Sequence, residues 1–508
     1  MDRVDVMLDH VIDTSQKKTH YKVESYFFIP RSLGLTRHTY SINDFFTDVS
    51  SYIRFQEPTI SDKILADINN ENSPLHRALK WIDKETQIST TTTKSRLSYE
   101  MRMFACIVGT NLRDIAIDLK KKIRRLDIKS VDSVLMSDVE HGTTALIESM
   151  RLQLSALRSV RAIFNRTDSP RWHRELFAYT DRYMSVAAEE CLTSVVIGFD
   201  TAPAAIHCRL TALKKAVVEG LVEEQCYQKS VDYQTVESTP RQNASFVYQL
   251  SVLRKYVRSV LFLEVERSEE RRRKRRLFSG IAASIAAAFS AVLAVWARIV
   301  YDIDSFSFLV VIGLGYFCRL QIWQWLRRAF KRLDHRFYDI RRKIREPHTR
   351  RYLGVCRESF RFVPMTEVPS EVIHYRHQGS SMIERERNSE VVIKYVKDVT
   401  LLGAKIAAFR RGFKSIVDIH RFNISRLLIW MNEPEEYVAS YDTALNRTVG
   451  VSCPKNYNIN LVISRTGDRS KTVDRYRLIL DKSGLTSLQF IKTDRSSHSV
   501  HEHAELGD

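Results

Sequence analysis

Residues 277–297 read LFSGIAASIAAAFSAVLAVWA, 21 residues without a charge. A helix needs about 20 apolar residues to cross the hydrocarbon core of a bilayer. Within lipid its backbone must bond to itself, so the run is expected to be helical. It lies mid-chain, which distinguishes it from a signal peptide. A second apolar run, FSFLVVIGLGYFC, covers residues 306–318. Thirteen residues of helix reach only about 20 Å. Extension to Leu326 makes a full span and places Arg319 about two turns from its end, within reach of the headgroups. Trp323 and Trp325 suit an interfacial aromatic belt. The two runs predict a transmembrane hairpin with spans at 277–297 and 306–326.

Charge is concentrated beside this hairpin. The chain of 508 residues has a formal net charge of +19, and residues 251–350 hold 22 bases against 9 acids. Arg271, Arg272, Arg273, Lys274, Arg275 and Arg276 precede the first span. Arg327, Arg328, Lys331 and Arg332 follow the second. The connecting turn carries Asp302 and Asp304 and a single base, Arg298. Bases flanking both spans on one side predict that both termini face the cytoplasm at the inner (plasma) membrane. The same bases are expected to contact anionic lipids there. This placement accounts for most of the basicity, so nucleic acid is not an expected partner. Gly280, Ser284, Ala287, Ala291 and Ala294 form a stripe of small side chains on the first span. Such stripes let helices approach closely in lipid, within one chain or between copies in a homo-oligomer.

Outward from the hairpin, residues 1–240 are expected to form a cytosolic, mainly helical domain. Tyr21 to Pro30 has the alternation of a strand. Leu97, Met101, Phe104, Val108, Leu112, Ile115, Leu119 and Ile123 recur at helical spacing, and further amphipathic runs follow to about residue 230. Residues 241–279 contain neither Pro nor Gly, which predicts a juxtamembrane stalk helix over 241–276 continuous with the first span. A basic stalk helix over 327–346 is expected on the return. Residues 347–508 read as a small cytosolic α+β domain, with a helix over Glu384–Arg410 and a hairpin turning at Gly484. The fold class is therefore a mainly α membrane protein: an N-terminal helical bundle, a central two-helix hairpin with long helical stalks, and a small C-terminal α+β domain.

No phosphate loop, zinc-protease motif or nucleophile elbow is present. Seven cysteines are spread without a CxxC pair, as in reduced, cytosolic chains. His498, His501 and His503 lie in a polar tail and predict no metal site. No cofactor is expected. Three readings stay open. The first is a non-enzymatic sensor or effector whose cytosolic domains bind a protein partner. The second is an oligomeric channel or membrane-disrupting effector, as in microbial defence or toxin systems. The third is a membrane-anchored enzyme without a familiar motif.

Overall fold

The computed structural model describes residues 3–12, 16–84, 90–126, 133–167, 169–203, 206–234, 240–268, 270–301, 305–333, 338–347, 350–378, 390–409, 413, 415–432, 435–443, 447–467 and 471–491. The histidine-bearing tail and the loop aspartates Asp302 and Asp304 lie outside these residues.

The chain opens with strands β1 (Arg3–Val11) and β2 (Thr19–Pro30), helix α1 (Ile42–Asp48) and strand β3 (Val49–Phe55). A helical region follows: α2 (Asp62–Ala66), α3 (Pro74–Asp83), α4 (Thr90–Arg125), α5 (Ser133–Ser159), α6 (Arg161–Phe164), α7 (Arg171–Asp200), α8 (His207–Ser230) and α9 (Pro240–Arg258). Strand β4 (Glu264–Ser268) leads into α10 (Glu270–Val300), and α11 (Phe306–Leu333) returns to β5 (Ile340–Arg345). The rest comprises β6 (Tyr352–Val363), α12 (Ser370–His377), β7 (Glu390–Leu401), α13 (Gly403–Phe409), β8 (Ser415–Asn423), α14 (Ser425–Ile429) and β9 to β13 (Glu435–Asp442, Arg447–Pro454, Tyr457–Gly467, Lys471–Asp481 and Gly484–Ile491).

The expected mainly α class is overturned. The body is organised by an eight-stranded antiparallel sheet, ordered β13-β12-β11-β2-β7-β6-β5-β4. Its central strand, β2, comes from the N-terminal end of the chain and pairs with β7 and β11. The C-terminal residues therefore do not form a small α+β unit of their own. A three-stranded sheet, β1-β8-β3, covers the inner face. Alternation along β2 sends Tyr21, Val23, Ser25, Phe27 and Ile29 to that face, where all five are buried. Tyr26 and Phe28 point the other way, into a second core with Val372 of α12. β9 and β10 form a separate two-stranded hairpin with exposed Tyr437 and Tyr441.

The expected helix over Glu384–Arg410 is instead β7 and α13, residues 384–389 and 410 lying outside the description. Val391, Val392, Ile393, Val396 and Val399 are β-branched, and Val392 and Val396 on one face are buried as Ile393 and Val399 are on the other. A strand buried on both sides reads as a near-continuous apolar run and mimics a helix stripe.

Both expected stalk helices are also corrected. The first is interrupted: α9 stops at Arg258, and residues 264–268 run as an edge strand before α10 begins. The second ends with α11 at Leu333, and residues 340–345 form β5. β-strand pairing overrides local helical preference in both places: Glu264 to Ser268 align with Arg345 to Arg341. The helical bundle does exist, built from α4, α5, α7, α8 and α9 around the apolar stripe of α4.

Candidate functional site: the helical hairpin and the sheet edge that carries it

Two helical stretches, Arg276–Val300 and Leu309–Ala329, are long and apolar enough to cross a membrane. Most of their surface is exposed, including Leu277, Val292, Trp296, Leu309, Leu314 and Trp325. Exposed residues of this kind are incompatible with the core of a soluble domain, which would bury them.

The two helices pack against one another through a small-residue face. Ala282, Ala286 and Ala297 are buried on α10. A Cβ at Gly315 would stand 2.6 Å from Leu293 Cδ2, so glycine there permits the close approach. The stripe expected from sequence is a neighbouring one. Gly280, Ser284, Ala287 and Ala291 are exposed, Ala294 is half-buried, and a Cβ at Gly280 would meet nothing within 4 Å. In so alanine-rich a helix two small faces interleave, and spacing alone does not say which one meets the partner helix.

The basic residues are only partly within the description. Arg271 to Arg275, Lys331 and Arg332 lie on helical backbone, and their side chains fall outside it. Arg276 and Arg319 are exposed. Arg327 lies over the Trp323 ring at 5.2 Å, and Arg328 donates to Gln324 Oε1 at 3.3 Å.

The hairpin is rooted in the sheet edge. Only one residue separates β4 from α10, and Ser268 Oγ donates to the carbonyl of Arg341 on β5 at 3.0 Å. From β5, Arg342 reaches inward to Glu358 of β6 at 2.9 Å. Glu358 is fully buried and accepts from the Tyr395 hydroxyl at 3.0 Å.

Next to this lies a buried ionic cluster that the sequence reading missed. Lys397 of β7 and Asp418 of β8 are ion-paired with no solvent exposure, and Lys397 also donates to Ser51 of β3. His420 Nε2 is 3.3 Å from Asp418 Oδ1, and the Tyr21 hydroxyl donates to Asp418 Oδ2 at 3.2 Å. The His10 ring stacks on Tyr21 at 3.9 Å. Burial by itself would raise the Asp418 carboxyl, but the Lys397 ammonium and then His420 hold it far below the usual carboxylate range. Burial lowers His10 to about 4. Burial and then the Glu358 carboxylate push the Cys356 thiol well up, so it stays a neutral thiol. A charge at an inward position of an alternating strand, as in Val396-Lys397-Asp398-Val399, was the available signal. The bundle holds a second network, where Arg158 meets Glu224 at 2.6 Å and Asp181 at 3.3 Å.

These groups bind one another. The cavity between Phe27, Phe45, Phe422, Ile459 and Leu478 is apolar and holds about 60 Å³, room for a few waters. Among the described residues no three His, Cys, Asp or Glu side chains are grouped to hold a metal ion. No protein-family model, curated protein or solved structure matches this chain.

Proposed function

We propose that this chain is anchored in the inner (plasma) membrane by its helical hairpin, with both termini in the cytoplasm. There it acts as a sensor or effector that binds a protein partner and transmits a change of shape, without catalysing a reaction. The observation that carries this reading is the rooting of both apolar helices in one sheet edge. β4 and β5 pair side by side, so the chain leaves and re-enters the body at one place. Two crossings meet that constraint and one does not. The bases flanking both helices favour the cytoplasmic side for the body, and acidic lipids are the expected contact there. A displacement of β5 would pull directly on Arg342 and Glu358, and these abut the cluster joining the two sheets. Such a coupled element is what a two-state switch requires.

Reporter fusions after Arg276 and after Arg345 test the topology. Both are expected to report the cytoplasm. A signal from the far side at the second position would leave one crossing and sink the proposal.

Assembly of several copies into a channel is the second reading. It is favoured by the Gly280, Ser284, Ala287 and Ala291 face, which points away from α11. Ser284→Leu and Ala291→Leu are then expected to reduce oligomer size, measured by light scattering in mild detergent. Ala286→Leu acts on the other face and is expected to loosen the hairpin within one chain, lowering the melting temperature. Unchanged oligomer size in the first two variants would remove the channel reading.

A further inference from the structure

Alternation along β5 sorts its bases onto two faces. Arg342 enters the interior, whereas Arg341 and Lys343 stand on the opposite, open face of the large sheet. On that face Arg341 lies directly across from Arg357 of β6, and Arg361 lies directly across from Lys394 of β7. Like charges opposed in an antiparallel pair are destabilising. The nearby acids are already engaged: Glu266 of β4, directly across from Lys343, ion-pairs with Arg345 at 3.1 Å. Lys394 meets Glu24 at 3.1 Å, while Asp398 is held by His20 at 3.2 Å and by the Tyr338 hydroxyl at 2.9 Å. Arg357 lies over the Tyr338 ring at 5.9 Å. Among the described residues no carboxylate ion-pairs with Arg341, Lys343, Arg357 or Arg361. The Nε atoms of Arg341 and Arg357 are buried without a hydrogen-bond partner.

We propose that this open face binds the headgroups of acidic phospholipids, with Arg341 and Arg357 gripping the phosphate and Lys343 and Arg361 flanking it. The proposal rests on the membrane reading above. Guanidinium groups offer a planar fork that matches phosphate oxygens, and a bound anion turns the opposed arginines from a repulsive pair into a clamp. Position selects lipid over soluble phosphate. Arg341 pairs with Ser268, and α10 starts two residues later. From Glu270 to Leu277 is about 10 Å of helix. The headgroup layer is about 5–8 Å thick on each side of the hydrocarbon. The arginine pair therefore stands near the outer edge of that layer, within about one Debye length of its charge.

The test titrates the whole chain, purified in neutral detergent, with phosphatidylglycerol, phosphatidylcholine and inorganic phosphate. Bound lipid is counted by native mass spectrometry and affinity is followed by thermal shift. Each cation near an anionic surface contributes about fivefold in affinity, so Arg341→Gln with Arg357→Gln is expected to weaken phosphatidylglycerol binding roughly 25-fold. Phosphatidylcholine should bind equally to both proteins. Arg357→Lys keeps the charge and is expected to retain most of the affinity, which separates loss of the site from loss of the fold. Unchanged phosphatidylglycerol affinity in the double variant would overturn the proposal. So would inorganic phosphate matching phosphatidylglycerol in affinity and in its sensitivity to the double variant, since the ligand would then be a soluble phosphate. Extraction of membranes at alkaline pH reads the anchor alone and reports separately whether the membrane reading has failed.

Discussion

Asp418→Ala is expected to destabilise the body by about 3–5 kcal/mol, because it leaves the Lys397 ammonium buried without its counter-charge. A domain commonly has about 5–15 kcal/mol in total, so this one change would unfold a large share of molecules at physiological temperature. The loss is read as a fall in urea midpoint with an unchanged slope. Replacing both partners, Lys397→Met with Asp418→Leu, is expected to recover most of it, since no charge then remains to be solvated. A single variant within 1 kcal/mol of the parent would show that the pair contributes little. The cluster also sets a pH dependence. Asp418 is depressed in the folded state, so its contribution is complete above the ordinary carboxylate value of 3.8 and is lost only in strong acid. His10 acts earlier. It stays neutral in the fold down to about 4, while the unfolded chain takes up a proton near 6.5. Stability should therefore fall as pH drops from 6.5 toward 4, by on the order of 3 kcal/mol. His10→Phe is expected to flatten the curve across that window, and an unaltered curve would exclude His10 as its source.

Gly354→Ala is the second large effect. Gly354 lies on β6 across from Leu401 of β7 and Ile344 of β5, beside the irregularity between Ile344 and Arg345. A Cβ there would stand 2.3 Å from the carbonyl oxygen of Thr400 and 3.1 Å from the Cα of Leu401. Backbone cannot rotate aside as a side chain can, so three strands must shift together. Overpacking of a core already costs about 1–3 kcal/mol, and a backbone clash between inner strands is expected to reach 3 kcal/mol or more. Because β5 receives the chain from α11, the same shift should expose the root of the hairpin to protease. Gly313→Ala is the control. Its Cβ meets nothing within 4 Å, and alanine favours the helix, so no loss is expected. Equal melting temperatures for Gly354→Ala and the parent would show that the strands yield at little cost.

The two apolar helices were legible because a span is a local, continuous signal. So was the bundle, whose Leu97-to-Ile123 stripe repeats over seven turns, and so was the last hairpin, where Gly484 takes a φ of 139°. The large sheet was not legible. Tyr21 pairs with Val399 and Phe27 with Leu461, and no local pattern names a partner so distant. The break in the first stalk was hidden because residues 262–268 contain no Pro or Gly. Their strand state depends on β5 lying alongside. The basic stretch over 327–346 was read as one stalk helix. Strand alternation divides its last members, sending Arg342 to Glu358 and Arg341 to the open face. Lys397 and Asp418 escaped notice because charged residues are on the surface by default.

The position of β2 at the centre of the sheet has a consequence for biogenesis. Its neighbours are β7, ending at Leu401, and β11, ending at Gly467. Ribosomes add about 5–20 residues per second, so β2 waits roughly 20–75 s after its own synthesis before even β7 is complete. During that interval Tyr26-Phe27-Phe28-Ile29 has no partner strand, and the apolar helices are synthesised before β7. With the hairpin inserted as proposed, the order of events is anchor, then sheet. On that proposal the body closes while already tethered, with its diffusion confined to a plane and its unpaired strand held beside a bilayer.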